Sequence, residues 1–80
     1  MGSKFPAVNY NDIVKIAKKL DFYLYRQAKG SHEIWRRDLD GRQTTIPNHS
    51  SKIIKRRTLK AIFSDLQISA DQFIKLKNNK

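Results

Sequence analysis

Two histidines, His32 and His49, are the only side chains whose ordinary pKa lies near neutrality, and the 80-residue chain has no cysteine. Without thiols there is no disulfide and no thiolate metal site. Neither histidine has Asp, Glu or Cys at a ligating spacing. No Gly-rich phosphate loop or nucleophile elbow is present either. No metal and no small-molecule cofactor is therefore expected. What an imidazole does unaided is take or give a proton, a contribution of roughly 10²–10⁴-fold in rate. His32 directly follows Lys29-Gly30-Ser31, a tight turn, and opens a stretch of strand character. That is an accessible place for a proton-transfer group. An ordinary turn histidine satisfies the same pattern, so the local residues leave both readings open. His49 sits in Pro47-Asn48-His49-Ser50. There an imidazole can cap the turn, contact a phosphate or serve as a second proton-transfer partner.

Charge narrows the class of partner. Seventeen Lys and Arg against seven Asp and Glu give a net charge of +10. Such a field attracts polyanions, and each neutralised phosphate releases counterions, so nucleic acid is the expected partner. RNA suits a lone histidine because its 2′-hydroxyl is a built-in nucleophile. One imidazole, with cations to stabilise the phosphorane, can then cleave it without a metal. Arg26, Lys29 and Arg36 are candidates for the cation role, and strand alternation puts Arg36 on the face of His32. A second basic cluster, Lys52, Lys55, Arg56, Arg57 and Lys60, surrounds the start of a helix. The free N–H groups there already favour anions. Basic side chains at that end destabilise an isolated helix, a cost that a docked phosphate backbone would offset. A solvated basic face accounts for the same cluster. Tyr23, Tyr25 and Trp35 can stack bases if they face the open side of a sheet, or fill the core if they do not. With His32 toward solvent, Trp35 falls on the core side and Ile34 is partly exposed.

These side chains must be held by a small set of elements. Ile13, Ile16, Ala17 and Leu20 make the apolar stripe of a helix over residues 11–20, with Asn9 or Asn11 as N-cap and Asp21 at a left-handed C-terminal position. Residues 22–28, 32–37 and 42–46 read as strands, joined by Lys29-Gly30-Ser31 and by Asp38-Leu39-Asp40-Gly41, with Pro47 as the stop. A loop over 48–54 leads to a second helix over 55–66, striped by Leu59, Ile62, Phe63 and Leu66. Ser69 and Gln72 form a capping box for a short last helix carrying Phe73, Ile74 and Leu76. The order is α-β-β-β-α plus a short C-terminal helix, an α+β class. Three short strands cannot close a barrel, so the helices pack on one face of a three-stranded antiparallel sheet. One domain is expected over residues 9–77, after a tag-like or flexible segment over 1–8 that begins Met1-Gly2-Ser3, and before a frayed tail over 78–80. No stretch approaches the roughly 20 apolar residues of a membrane helix. The start lacks the apolar region of a signal peptide. A cytoplasmic protein with no membrane partner is expected.

Taken together, an ordered set of motifs resembles the HicA-type mRNA interferase toxins. The set is Phe22 with Arg26, Lys29-Gly30-Ser31-His32, Asp40-Gly41-Arg42, Ile46-Pro47-Asn48-His49-Ser50 and Thr58-Leu59-Lys60-Ala61-Ile62. It spans Asn9 to Phe73. The resemblance implies a double-stranded-RNA-binding-domain-like fold and the toxin component of a type II toxin–antitoxin system. It implies a metal-independent endoribonuclease, a hydrolase that cleaves mRNA in the cytoplasm and causes growth arrest in a stress response. It implies a HicB-type antitoxin partner covering the active site, and it makes His32 the catalytic histidine. Arg26, Lys29, Ser31, Arg36, His49, Lys55, Arg56 and Arg57 are the expected RNA-binding residues. Two positions depart from the family pattern: Arg57 and Asp21 each stand where Gly is usual. The alternative function is a non-catalytic RNA-binding module on the same fold.

Overall fold

Asn9 starts the first helix. In the computed structural model, which describes residues 5–49 and 51–79, its Oδ1 accepts from the Asp12 N–H at 3.0 Å while Asp12 Oδ2 accepts from the Asn9 N–H at 3.3 Å. This reciprocal cap satisfies two otherwise free donors and begins α1 (Tyr10–Lys19) at Asn9 rather than Asn11. Ile13, Val14, Ile16 and Ala17 are its buried face. The helix stops where the backbone turns left-handed at Asp21, φ +71°. There the Phe22 N–H donates to the Ala17 carbonyl at 2.9 Å and the Asp21 N–H to the Lys18 carbonyl at 3.0 Å. Both bonds belong to the Schellman pattern, which places Asp21 in the left-handed position expected of it.

Three antiparallel strands follow, β1 (Tyr23–Gln27), β2 (His32–Arg37) and β3 (Arg42–Pro47), in the spatial order β1-β2-β3. Pro47 is the last residue of β3, paired opposite His32, rather than the stop just after it. With no N–H to donate, a proline is tolerated at such a terminus. The β2–β3 turn needs a left-handed glycine at Gly41, φ +70°. It is clamped by the Arg37 guanidinium, which donates to both Asp40 carboxylate oxygens at 2.7 and 3.1 Å and to the Leu20 carbonyl at 3.0 Å. The Arg37 hydrogen bond holds the Asp40 carboxyl at about 2.

The helices α2 (Arg56–Leu66) and α3 (Ala70–Asn78) complete the order α-β-β-β-α-α. Ser69 and Gln72 make the expected capping box for α3. α2 lies along β3, and α1 packs on α3. One sheet face, with Trp35, Thr44 and Ile46, closes on the helices; its core partners are Ile13, Ile16, Leu59, Ile62, Phe63 and Phe73. Each such large apolar side chain contributes about 1.5–3 kcal/mol on burial. The opposite face, with His32, Ile34, Arg36 and Thr45, is open.

Residues at both ends of the chain make further contacts. Val8 is fully buried and its carbonyl accepts from the Ile54 N–H at 2.8 Å, while the Phe5 ring packs on Phe63. α3 continues through Asn78, and Lys19 Nζ donates to the carbonyls of Leu76 and Asn79, both at 2.8 Å. The apolar side chains of Phe5 and Val8 pack with the core. The tag-like Met1-Gly2-Ser3, Ser50 of the Pro-x-His-Ser motif and Lys80 lie outside the described residues.

Candidate functional site

His32 opens β2 with its side chain exposed. Its N–H donates to the Lys29 carbonyl at 3.3 Å, and its own carbonyl accepts from the Ala28 N–H at 2.8 Å. Gly30 between them has φ +64°, a left-handed value that side chains resist. The turn that presents His32 therefore depends on that glycine. Alongside, the Ser31 carbonyl accepts from the Asn48 N–H at 2.8 Å, and Ser31 Oγ lies 3.3 Å from His49 Nε2. These contacts lace the two histidine-bearing segments together.

Two adjoining depressions, of about 350 and 410 Å³, share His32, Pro47 and Thr58 as a common wall. The first also has His49, Lys52 and Lys55 in its lining, and the second has Arg57 and Asp65. Both histidines and three cations thus gather at the N-terminal end of α2. Lys55 is the N-cap residue there, with no side-chain capping bond and no acid in the first turn. The uncapped amides and flanking cations form a positive pole beside His32. The arrangement can hold a phosphate against an exposed imidazole.

Glu33 sits behind His32 on the helix-covered face. It is 5% exposed. Its Oε1 accepts from the Tyr10 hydroxyl at 2.7 Å and from Trp35 Nε1 at 3.0 Å, and its Oε2 accepts from Asn48 Nδ2 at 3.1 Å. A buried carboxylate is tolerable when donors surround it in this way. Burial first, then the hydrogen bond and charge of Glu33, push the Tyr10 phenol up to about 12. One side chain thereby ties α1, β2 and the loop that carries His49.

Of the expected site residues, His32, His49, Lys55 and Arg57 meet at the depressions, with Ser31 against His49. Lys29 gives its carbonyl to the His32 turn, and its side chain is exposed. Arg26 pairs across from Ile34 on the open side of the sheet. The Arg36 guanidinium is held by Asp38 at 3.1 Å and lies over the Tyr25 ring, away from His32. Arg56 stacks on Phe5, with 5.0 Å from its guanidinium carbon to the ring centroid, rather than at either depression. Trp35 is buried, as its position opposite the His32 face required, and Ile34 is partly exposed. Lys52 and Thr58 join the site although neither was among the expected contacts. Their signals were present, Lys52 in the basic run and Thr58 in Thr-Leu-x-x-Ile. Glu33 carried no motif; only alternation placed an acid on the Trp35 side.

A family model described as the HicA toxin of bacterial toxin–antitoxin systems matches residues 10–68. The chain belongs to the HicA toxin family. The match begins at the first residue of α1 and ends just beyond α2, so it takes in every residue lining the two depressions. This HicA chain is accordingly the toxin of a toxin–antitoxin system, with an antitoxin as its partner. No curated protein matches it. Among the described residues of this HicA, no helix is long and apolar enough to cross a membrane.

Proposed function

We propose that this HicA toxin is a metal-independent endoribonuclease that cleaves mRNA in the cytoplasm, with His32 as its catalytic residue. The observation that carries the reading is the exposed His32 in the wall shared by two depressions, beside the uncapped, cation-flanked start of α2. RNA supplies the nucleophile. The 2′-hydroxyl oxygen attacks the adjacent phosphorus, the bond to the 5′-oxygen breaks, and a 2′,3′-cyclic phosphate and a 5′-hydroxyl result. His32 removes the 2′-hydroxyl proton or supplies the one taken by the leaving oxygen, with water completing the exchange. Lys55 and Arg57, with Lys52, stabilise the charge that builds on the phosphorane. His49 and Ser31 contact the phosphate from the other wall. Arg26, Lys29, Arg36 and Arg56 bind flanking backbone farther out. A HicB-type antitoxin neutralises the toxin by covering the His32 depressions, where acidic groups complement the cations.

The test is incubation of the protein and its His32→Ala variant with unstructured single-stranded RNA in EDTA. Cleavage by the parent alone, leaving 2′,3′-cyclic phosphate ends, is the expected result. Ends bearing 3′-hydroxyl and 5′-phosphate would refute the transesterification. Binding without cleavage by either protein would instead favour a non-catalytic RNA-binding module.

A further inference from the structure

The open sheet face carries an ordered aromatic patch remote from the depressions. Tyr23 and Tyr25 are 41% and 50% exposed, with ring centroids 6.4 Å apart in an edge-to-face arrangement. The Arg36 guanidinium lies 5.5 Å from the Tyr25 centroid. Asp38 organises the group, accepting from Arg36 Nε at 3.1 Å and from the Tyr23 hydroxyl at 2.9 Å. A bulge between Leu24 and Arg26 shifts the pairing so that Arg26 lies opposite Ile34, on the same face as the tyrosines. Bulges re-aim side chains in this way. The strand residues on this face are Tyr23, Tyr25, Arg26, His32, Ile34, Arg36, Gln43, Thr45 and Pro47, with no acid among them. Flat rings, a stacked guanidinium and the added positive charge of Arg26 match an unpaired nucleobase and its backbone. They suit an aliphatic protein surface poorly.

We propose that Tyr23, Tyr25 and Arg36 form a base-stacking subsite for single-stranded RNA, on the open sheet face and separate from the phosphate site at His32. The inference rests on the ribonuclease reading for its substrate class. Arg36 is four residues from His32 along one strand, about 13 Å, so the subsite takes bases a few nucleotides from the scissile phosphate. Every base has a π-face, so the platform adds affinity with little sequence preference. It requires splayed bases, which excludes duplex RNA as the ligand here.

The experiment compares parent, Tyr25→Leu, Tyr23→Leu and Tyr25→Phe proteins on mixed-sequence RNA of eight nucleotides and on dinucleotides. Each is made with and without His32→Ala, so that binding is also read without turnover. Unchanged Trp35 fluorescence checks the fold of each. The leucine variants are expected to bind the longer RNA about five-fold or more weakly. Tyr25→Phe should stay near the parent, and dinucleotide cleavage should be unchanged in all three. Leucine variants that bind the longer RNA like the parent would overturn the subsite while leaving the ribonuclease reading intact. Loss of antitoxin affinity with RNA affinity unchanged would also overturn it, and would assign the patch to a protein. A parent that binds RNA through the tyrosines but cuts none would support the subsite and sink the ribonuclease. A parent that neither binds nor cuts would sink both.

Discussion

Replacing Glu33 by alanine removes the acceptor of three hydrogen bonds at once. Tyr10, Trp35 and Asn48 donate to it at 2.7, 3.0 and 3.1 Å. Hydrogen bonds to a charged group contribute about 1.5–3 kcal/mol each, but the losses are not additive. Asn48 is exposed and Tyr10 partly so, and water can serve both. Trp35 is 3% exposed, and its indole N–H is left without an acceptor. A cost of about 2–4 kcal/mol follows, about 1–3 for the buried donor left unsatisfied and the rest for the two bonds handed to water. Against the roughly 4–12 kcal/mol of a chain this long, that is a large share. Glutamine should cost far less, about 1 kcal/mol. Its oxygen still accepts from Tyr10 and Trp35, and the Asn48 amide can flip to accept from the new N–H groups. Urea titration followed by the fluorescence of Trp35, the single tryptophan, measures both variants. With a slope of about 1 kcal/mol/M, the alanine midpoint should fall by about 2–4 M and the glutamine midpoint by about 1 M. An alanine variant within about 1 kcal/mol of the parent, at unchanged slope, would refute the reasoning. It would mean that water already reaches the Trp35 donor.

Tyr10 adds an alkaline signature. The folded state holds its phenolic proton up to about 12, above the ordinary 10 or so of the unfolded chain. The stabilisation is therefore whole below pH 10 and is lost as pH rises from 10 through 12. The stability gap between the parent and Tyr10→Phe should narrow across that window in urea titrations, and a constant gap would contradict the assignment. Asp21 holds φ +71°, where glycine is unstrained. Asp21→Gly should stabilise the protein by up to about 1 kcal/mol, or raise Tm by about 4–8 °C, with RNA cleavage unchanged. A fall in Tm on calorimetry would show that the aspartate side chain contributes more than its backbone costs.

Much of the fold was legible because it is local. The stripe of Ile13, Ile16 and Ala17, the Ser69–Gln72 box and the Asp40-Gly41 turn each specify their element within a few residues. β2 falls on the expected residues 32–37, and alternation alone separated Trp35 from His32. The candidate site was legible in part for the same reason: His32 follows a glycine turn that presents it wherever the rest of the chain goes. Which cations meet it was legible only in part, since Lys55 and Arg57 were expected there and Lys52 was not. Arg36 shares its strand face yet turns to Asp38 and Tyr25, and Arg56 turns to Phe5, whereas Lys52 and Arg57 line the depressions. Long basic side chains choose among partners that only packing brings near.

The sequence by itself determined the order of elements, the placing of His32 and Trp35 on opposite faces of β2 and the positive charge that draws a polyanion, since periodicity and composition carry these directly. Tertiary structure alone decided that Glu33 joins α1 to the His49 loop and that the start of α2 stands beside His32. It also decided that a bulge turns Arg26 to the tyrosine face. Each depends on contacts between residues far apart in the chain, or on a one-residue shift of strand register. Neither leaves a periodic trace in the sequence.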